Sequence, residues 1–211
     1  MFKNRRDAGQ QLAPKVRQCI HAQDALVLGL PRGGVPVAFE VAKALSAELD
    51  VFIVRKLGVP GQEELAFGAV ASGGVRVLNE DLLRKISLST TVIEQITARE
   101  RIELGRREEL YRGKRPPAKL AGRTVILVDD GLATGASMKA ACAAVRAQGP
   151  RQLAVAVPVA ARETCRELEE SVDLVLCLAT PPGFEAVGSW YEDFSQTSEQ
   201  EVQLLLTQHS A

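Results

Sequence analysis

Apolar positions along this chain follow two rhythms in alternation, one of about 3.6 residues and one of short continuous runs. Ala8, Leu12, Val16 and then Cys19 or Ile20 recur at helical spacing. They predict an amphipathic helix from about Arg5 to Ile20, in which Pro14 kinks the helix or shifts its start. Asp24 to Leu30 is almost wholly aliphatic, as a strand buried on both faces is. A loop, Pro31-Arg-Gly-Gly-Val-Pro36, and a helix from Val37 to Leu45 follow it, and Asp50 to Arg55 reads as a second strand. Ala66–Ala71 and Val75–Leu78 flank Gly73-Gly74 and predict a hairpin with a two-residue turn. Asn79 caps a short helix to about Ile86, Ser89 to Arg112 forms a long one, and Gly113-Lys-Arg-Pro-Pro117 is a connector. Beyond it come a strand at Val125–Val128, a helix from Gly135 to Gln148 stopped by Gly149 and Pro150, a strand at Gln152–Val159, a helix at Arg162–Glu170 and a strand at Val172–Leu178. Ser198 to His209 is a closing helix. The alternation predicts an α/β fold with a doubly wound, mostly parallel sheet.

Length and composition narrow this picture. A chain of 211 residues with 46% hydrophobic positions suits one sizeable domain with a small appended lobe. Acidic and basic residues balance at 26 each, which gives no global field to attract nucleic acid or an anionic membrane. The long helix at 89–112 mixes both signs of charge at helical spacing, as a solvated helix or a dimer face does. Cys19, Cys142, Cys165 and Cys177 form no C-x-x-C pair and read as reduced thiols. With no run of about eighteen apolar residues, a membrane span is not expected and a cytoplasmic location is. His21 and His209 lie far from the glycine-rich loops, so histidine general-base chemistry is not expected.

The chemistry concentrates in Val125-Ile-Leu-Val-Asp-Asp-Gly-Leu-Ala-Thr-Gly-Ala-Ser137. A buried strand runs into two carboxylates, a loop bounded by Gly131 and Gly135, and a helix N-terminus. Gly131 and Gly135 permit a tight backbone with N–H groups facing inward, Thr134 and Ser137 add hydroxyl donors, and the helix dipole favours an anion. Asp129 and Asp130 would repel a phosphate unless they serve something else, and ribose hydroxyls or a magnesium ion bridging to the ligand would suit them. A Walker A loop needs four residues between its glycines and then a lysine, whereas three residues separate Gly131 from Gly135 and Ala136 follows. The dinucleotide fingerprint G-x-G-x-x-G does not occur in the chain. A second loop of the same kind is Pro31–Pro36, where Gly33 and Gly34 allow close backbone approach and Arg32 offers forked donors.

Val128-Asp-Asp-Gly-Leu-Ala-Thr-Gly-Ala-Ser137 resembles the phosphoribosyl pyrophosphate (PRPP) signature of the type I phosphoribosyltransferases at every functional position. The segment Phe2 to Ala13 is similar to the opening of one bacterial subgroup of that family. The resemblance implies a type I phosphoribosyltransferase fold, with residues 1–179 as the core and 180–211 as a small C-terminal hood segment and closing helix. It implies transfer of 5-phosphoribosyl from PRPP to a nitrogen acceptor, a nucleobase by default, with release of pyrophosphate and with Mg2+ as cofactor. By that resemblance Gly131, Leu132, Ala133, Thr134, Gly135, Ala136 and Ser137 hold the 5-phosphate, and Asp129 and Asp130 hold the ribose. Arg32, Gly33, Gly34 and Lys56 grip the pyrophosphate, and the peptide just before the glycines is often cis. Asp129, Asp130 and Arg32 are the catalytic candidates. In the aromatic stretch from Thr180 to Phe194, Phe184 and Trp190 are candidates for stacking on an acceptor and Asp193 for a polar contact. Glu64, in the region where the family places a mobile closing loop, is a further candidate. No metal site of the protein's own and no nucleic-acid or membrane partner is implied, and a homodimer is. The rival reading is a non-catalytic sensor of PRPP or a nucleotide built on the same fold.

Overall fold

A computed structural model describes residues 1–209, except for the side chains of Glu63 and Glu64. In chain order the elements are α1 (Arg5–Cys19), β1 (Leu26–Gly29), α2 (Gly34–Leu45), β2 (Glu48–Val51), β3 (Val54–Val59), β4 (Gln62–Ala71) and β5 (Val75–Leu78). There follow α3 (Glu80–Ile86), α4 (Thr90–Arg112), β6 (Thr124–Val128), α5 (Ala136–Arg146), β7 (Gln152–Val159), α6 (Arg162–Glu169), β8 (Leu174–Ala179), a 3-10 turn (Val187–Trp190) and α7 (Glu199–His209).

Five strands pair in the order β2-β1-β6-β7-β8, and every pairing is parallel. Their side chains divide by the two-residue strand period. Val27, Ile126, Val128, Ala154 and Ala156 pack toward α1, α2 and α7, whereas Leu26, Leu28, Val125, Leu127, Leu153 and Val155 pack toward α5 and α6. Helices on both faces make the sheet doubly wound, and near-continuous apolar strands are what such burial demands. The Asn4 side chain accepts from the Asp7 N–H at 3.0 Å and caps α1, which carries Pro14 in its interior. Gly9 lets α1 lie tight on α2, because a Cβ there would sit 2.8 Å from the Val37 carbonyl oxygen.

The second strand read from sequence is two. β2 ends at Val51, and Arg55 and Lys56 lie in β3, which pairs antiparallel with β4 in a separate three-stranded sheet. Phe52 and Ile53 carry the chain between the sheets, with Phe52 buried in one core and Ile53 in the other. Lys56 therefore does not stand at the carboxyl end of a parallel strand. The hairpin turn holds three residues, Ser72-Gly73-Gly74, between the paired Ala71 and Val75. Arg112, buried at the end of α4, locks the junction. Its Nε donates to both Asp50 carboxylate oxygens at 2.9 Å, and its Nη2 donates to the Val51 carbonyl at 2.6 Å. No described helix is long and apolar enough to cross a membrane.

Candidate active site

The carboxyl ends of β1, β6 and β7 deliver three loops to one edge of the sheet, the edge where open α/β sheets take ligands. The loop after β6 is held from beneath. The Leu132 N–H donates to the Val159 carbonyl at 3.0 Å, the Leu132 carbonyl accepts from the Ala161 N–H at 2.9 Å, and the Leu132 side chain is in the core. Leu132 is thus an anchor whose backbone groups are already used. Beyond it, Ala133, Thr134, Ala136 and Ser137 are exposed. Gly135 takes φ +68°, a left-handed conformation that favours glycine, as the N-cap of α5 with no side-chain cap. Among the described residues, no backbone N–H from Ala133 to Met138 donates to a protein acceptor. Six consecutive unengaged donors thus stand at the positive end of a helix, an arrangement that favours an anion. The Thr164 hydroxyl on α6 buttresses it by donating to the Ala133 carbonyl at 2.5 Å.

The loop after β1 presses on the acidic pair. The Pro31–Arg32 peptide is cis. A Cβ on Gly33 would lie 2.0 Å from Asp130 Oδ2, and one on Gly34 would lie 2.6 Å from the Val128 carbonyl and 2.9 Å from Asp129 Cα. These two glycines are what allows the loops to touch. The Arg32 guanidinium forms no hydrogen bond or ion pair among the described residues. Lys56 reaches the same neighbourhood from β3. Pro31, Lys56 and Ser137 line one cavity of about 640 Å³, together with Arg55, Arg99, Glu100 and Arg107. Arg55 is tied to Glu100 through Nε at 2.9 Å and Nη2 at 2.7 Å.

Asp129 and Asp130 are half-buried at the end of β6. Asp129 Oδ1 accepts the Asp130 N–H at 2.9 Å. Burial, then the charge of Asp130, pushes the Asp129 carboxyl well above the usual carboxylate range. Burial raises Asp130 too, and the Arg5 guanidinium pulls it back down. Arg5 Nε donates to Asp130 Oδ2 at 2.7 Å. The Tyr191 hydroxyl donates to the Asp130 carbonyl at 2.6 Å, and burial pushes that phenol up.

Above the pair sits a lobe made from both ends of the chain. Phe2 pairs with Tyr191 through Phe2 N–H to Trp190 carbonyl and Glu192 N–H to Phe2 carbonyl, both 2.8 Å. Of the aromatic candidates, Phe184 and Trp190 pack against the buried cluster of Phe2, Ala8, Val159 and Tyr191. Asp193 is exposed, and its Oδ1 accepts the Ser195 N–H at 2.9 Å. It shares a cavity of about 190 Å³ with Asn4, Arg5, Ser195 and Glu201. The Glu64 side chain lies outside the described residues. Sequence reasoning missed Arg5, Tyr191 and Phe194, whose ring lies 4.0 Å below the Arg5 guanidinium. The similarity of the Phe2–Ala13 segment to a subgroup opening was the signal that residues near the N-terminus matter.

The family model described as "Phosphoribosyl transferase domain" matches residues 3–193, a span that holds both glycine loops, the acidic pair and the lobe. The chain belongs to the phosphoribosyl transferase domain family. This phosphoribosyl transferase domain is 50% identical over 202 residues to "Putative phosphoribosyl transferase Rv0571c" of Mycobacterium tuberculosis strain H37Rv. The match covers 96% of this chain but 45% of that protein, so the chain spans less than half the length of the curated relative. Among solved structures it is similar to TT1426 from Thermus thermophilus, with 46% identity, a TM-score of 0.89 and 98% of each chain covered. Likeness to AQ2163 of Aquifex aeolicus, at 11% identity and TM-score 0.53 over 96% of this chain and 85% of that one, shows the shared fold alone.

Proposed function

We propose that this chain transfers 5-phosphoribosyl from PRPP to a nitrogen acceptor, a nucleobase, and releases pyrophosphate. The observation that carries this is the juxtaposition of six unengaged N–H donors with a carboxylate pair. A 5-phosphate suits the donors of Ala133 to Met138, with the Thr134 and Ser137 hydroxyls beside them. The Asp129 and Asp130 carboxylates then meet the ribose hydroxyls one sugar away. Arg32, the backbone N–H of Gly33 and Lys56 face the pyrophosphate. The Gly34 N–H already donates to the Leu30 carbonyl at 3.0 Å, so Gly34 serves the close packing of α2 on β6 and not the grip. Bond breaking at the anomeric carbon leaves a cationic sugar. With both carboxylates ionised, they and Arg5 together carry one net negative charge, which favours that cation over the uncharged ribosyl ring of the ground state. No protein nucleophile is needed.

The donor set for magnesium is read as PRPP's own oxygens, since the ion commonly keeps water and substrate phosphates as ligands. Among the described residues no group of three His, Cys, Asp or Glu side chains is gathered to hold a metal. Magnesium bound to the substrate would neutralise the leaving group. For the acceptor, Phe184 and Trp190 support the lobe, and Asp193 offers its carboxylate at the lobe's edge. A cytoplasmic homodimer is the setting we infer.

Pyrophosphate release from PRPP with magnesium, measured against a panel of purine and pyrimidine bases, tests the reading. Release that depends on one base supports transfer and names the acceptor. PRPP binding without release for any base refutes the nucleobase transferase and favours a sensor.

A further inference from the structure

Arg5 joins the acidic pair to the lobe above it. Its Nε donates to Asp130 Oδ2 at 2.7 Å, its Nη1 donates to the Ser195 carbonyl at 2.6 Å, and its guanidinium lies 4.0 Å from the centre of the Phe194 ring. The ion pair is well shielded, with side-chain exposures of 12% for Arg5 and 15% for Asp130, so the attraction is little screened by solvent. Arg5 is held in place independently of that bond. It is the first residue of α1, behind the Asn4 cap, and the Lys3 carbonyl accepts the Asp193 N–H at 3.0 Å just before it. Gly33 adds a third wall, since a Cβ there would meet Arg5 Nε at 3.0 Å as well as the Asp130 carboxylate. Three segments remote in sequence, at Gly33, Asp130 and Phe194–Ser195, converge on one guanidinium.

We propose that Arg5 is a positioning residue of the PRPP site, which fixes the Asp130 carboxylate for the ribose hydroxyls and couples it to the lobe that covers the acceptor. The inference rests on the reading of Asp129 and Asp130 as the ribose grip. Two adjacent carboxylates repel, and without a cation one of them gains by turning away. Arg5 relieves the repulsion by occupying Oδ2, so that a hydroxyl donor meets Oδ1. The planar guanidinium serves this better than an ammonium, because one rigid fork reaches Asp130 and Ser195 while its face covers Phe194.

Calorimetric binding of magnesium–PRPP to wild type, Arg5→Met, Arg5→Lys, Asp130→Asn and Arg5→Met/Asp130→Asn tests this, with thermal melts to confirm folding. Methionine fills the space over Phe194 without the charge. Arg5→Met weakens PRPP binding by roughly ten- to a hundredfold, the usual effect of losing a partner that orients a ligating group. Lysine recovers part of the loss. In the Asp130→Asn background Arg5→Met has little further effect, because the group it positions is already altered. A purely structural role for Arg5 predicts instead the same loss in both backgrounds, and that result overturns the proposal. Should Arg5→Met not fold, Arg5→Lys decides: a several-fold weaker affinity is expected, and wild-type affinity overturns the proposal. Wild type that binds no PRPP refutes the phosphoribosyl reading and this inference with it, whereas wild-type binding with unchanged Arg5 variants refutes this inference alone.

Discussion

Gly33→Ala isolates the contact between the two glycine loops. Gly33 has φ −62° and ψ −33°, helical values that alanine adopts freely, so the substitution carries no backbone strain. Fewer unfolded conformations would by themselves stabilise the variant by about 0.4–1 kcal/mol. Against this, the new methyl carbon would lie 2.0 Å from Asp130 Oδ2 and 2.8 Å from Asp130 Cγ, far inside contact distance. The carboxylate must move, yet Arg5 and the packed loop hold it. Forcing a methyl into such a site costs about 1–3 kcal/mol. The net loss is then about 0–2.6 kcal/mol, and at about 2–4 °C per kcal/mol for a chain of this size Tm falls by up to roughly 10 °C. In an Asp130→Ala background the carboxylate is gone and only Arg5 Nε, at 3.0 Å and freed of its partner, has to give way, so Gly33→Ala becomes neutral to stabilising, by at most about 0.4–1 kcal/mol. Urea unfolding of the four proteins reads the coupling directly. Equal destabilisation in both backgrounds would refute the claim that Gly33 is glycine because of Asp130.

Asp129→Asn raises the Tm of the ligand-free protein at pH 7. Burial lifts the Asp129 carboxyl well above its ordinary 3.8, so its contribution to stability is full below the unfolded-state pKa and is lost as pH rises through the folded value. The wild type loses more stability over that interval than the variant, in which only Asp130 of the pair still titrates, and melts from about pH 4 to 8 detect the difference; a lower Tm for the variant at pH 7 contradicts the sign. Tyr191→Phe removes the 2.6 Å bond to the Asp130 carbonyl and costs about 1–2 kcal/mol, read as a Tm lower by roughly 2–8 °C. Arg112→Met leaves Asp50 without its buried partner and costs about 3–5 kcal/mol in urea unfolding; a loss below about 1 kcal/mol would show that the junction of β2 and β3 is held by packing alone.

The parallel sheet was legible because strands buried on both faces are continuous aliphatic runs, and Val125–Val128 followed by two aspartates and two glycines is hard to read otherwise. The break after Val51 was not, and for the same reason. Phe52 and Ile53 pass between two cores, so Val-Phe-Ile-Val is apolar throughout whether or not a strand continues. In the site, the local parts were visible: Gly33, Gly34, the acidic pair and the loop to Ser137 each carry their geometry in the residue type. Pairing across the whole chain was not. Arg5 is one of many basic residues on a helix, and nothing near it in sequence indicates that it meets Asp130, 125 positions away. Phe184 and Trp190 drew attention as aromatics, but composition cannot say which rings fill a lobe and which face its opening.

Calorimetric titration of magnesium–PRPP into wild type and into Asp129→Asn/Asp130→Asn tests the central claim most directly. The account predicts one site per chain in wild type and loss of binding in the variant, with the fold intact by circular dichroism. Absence of binding to wild type, or binding that the double variant leaves unchanged, would contradict it.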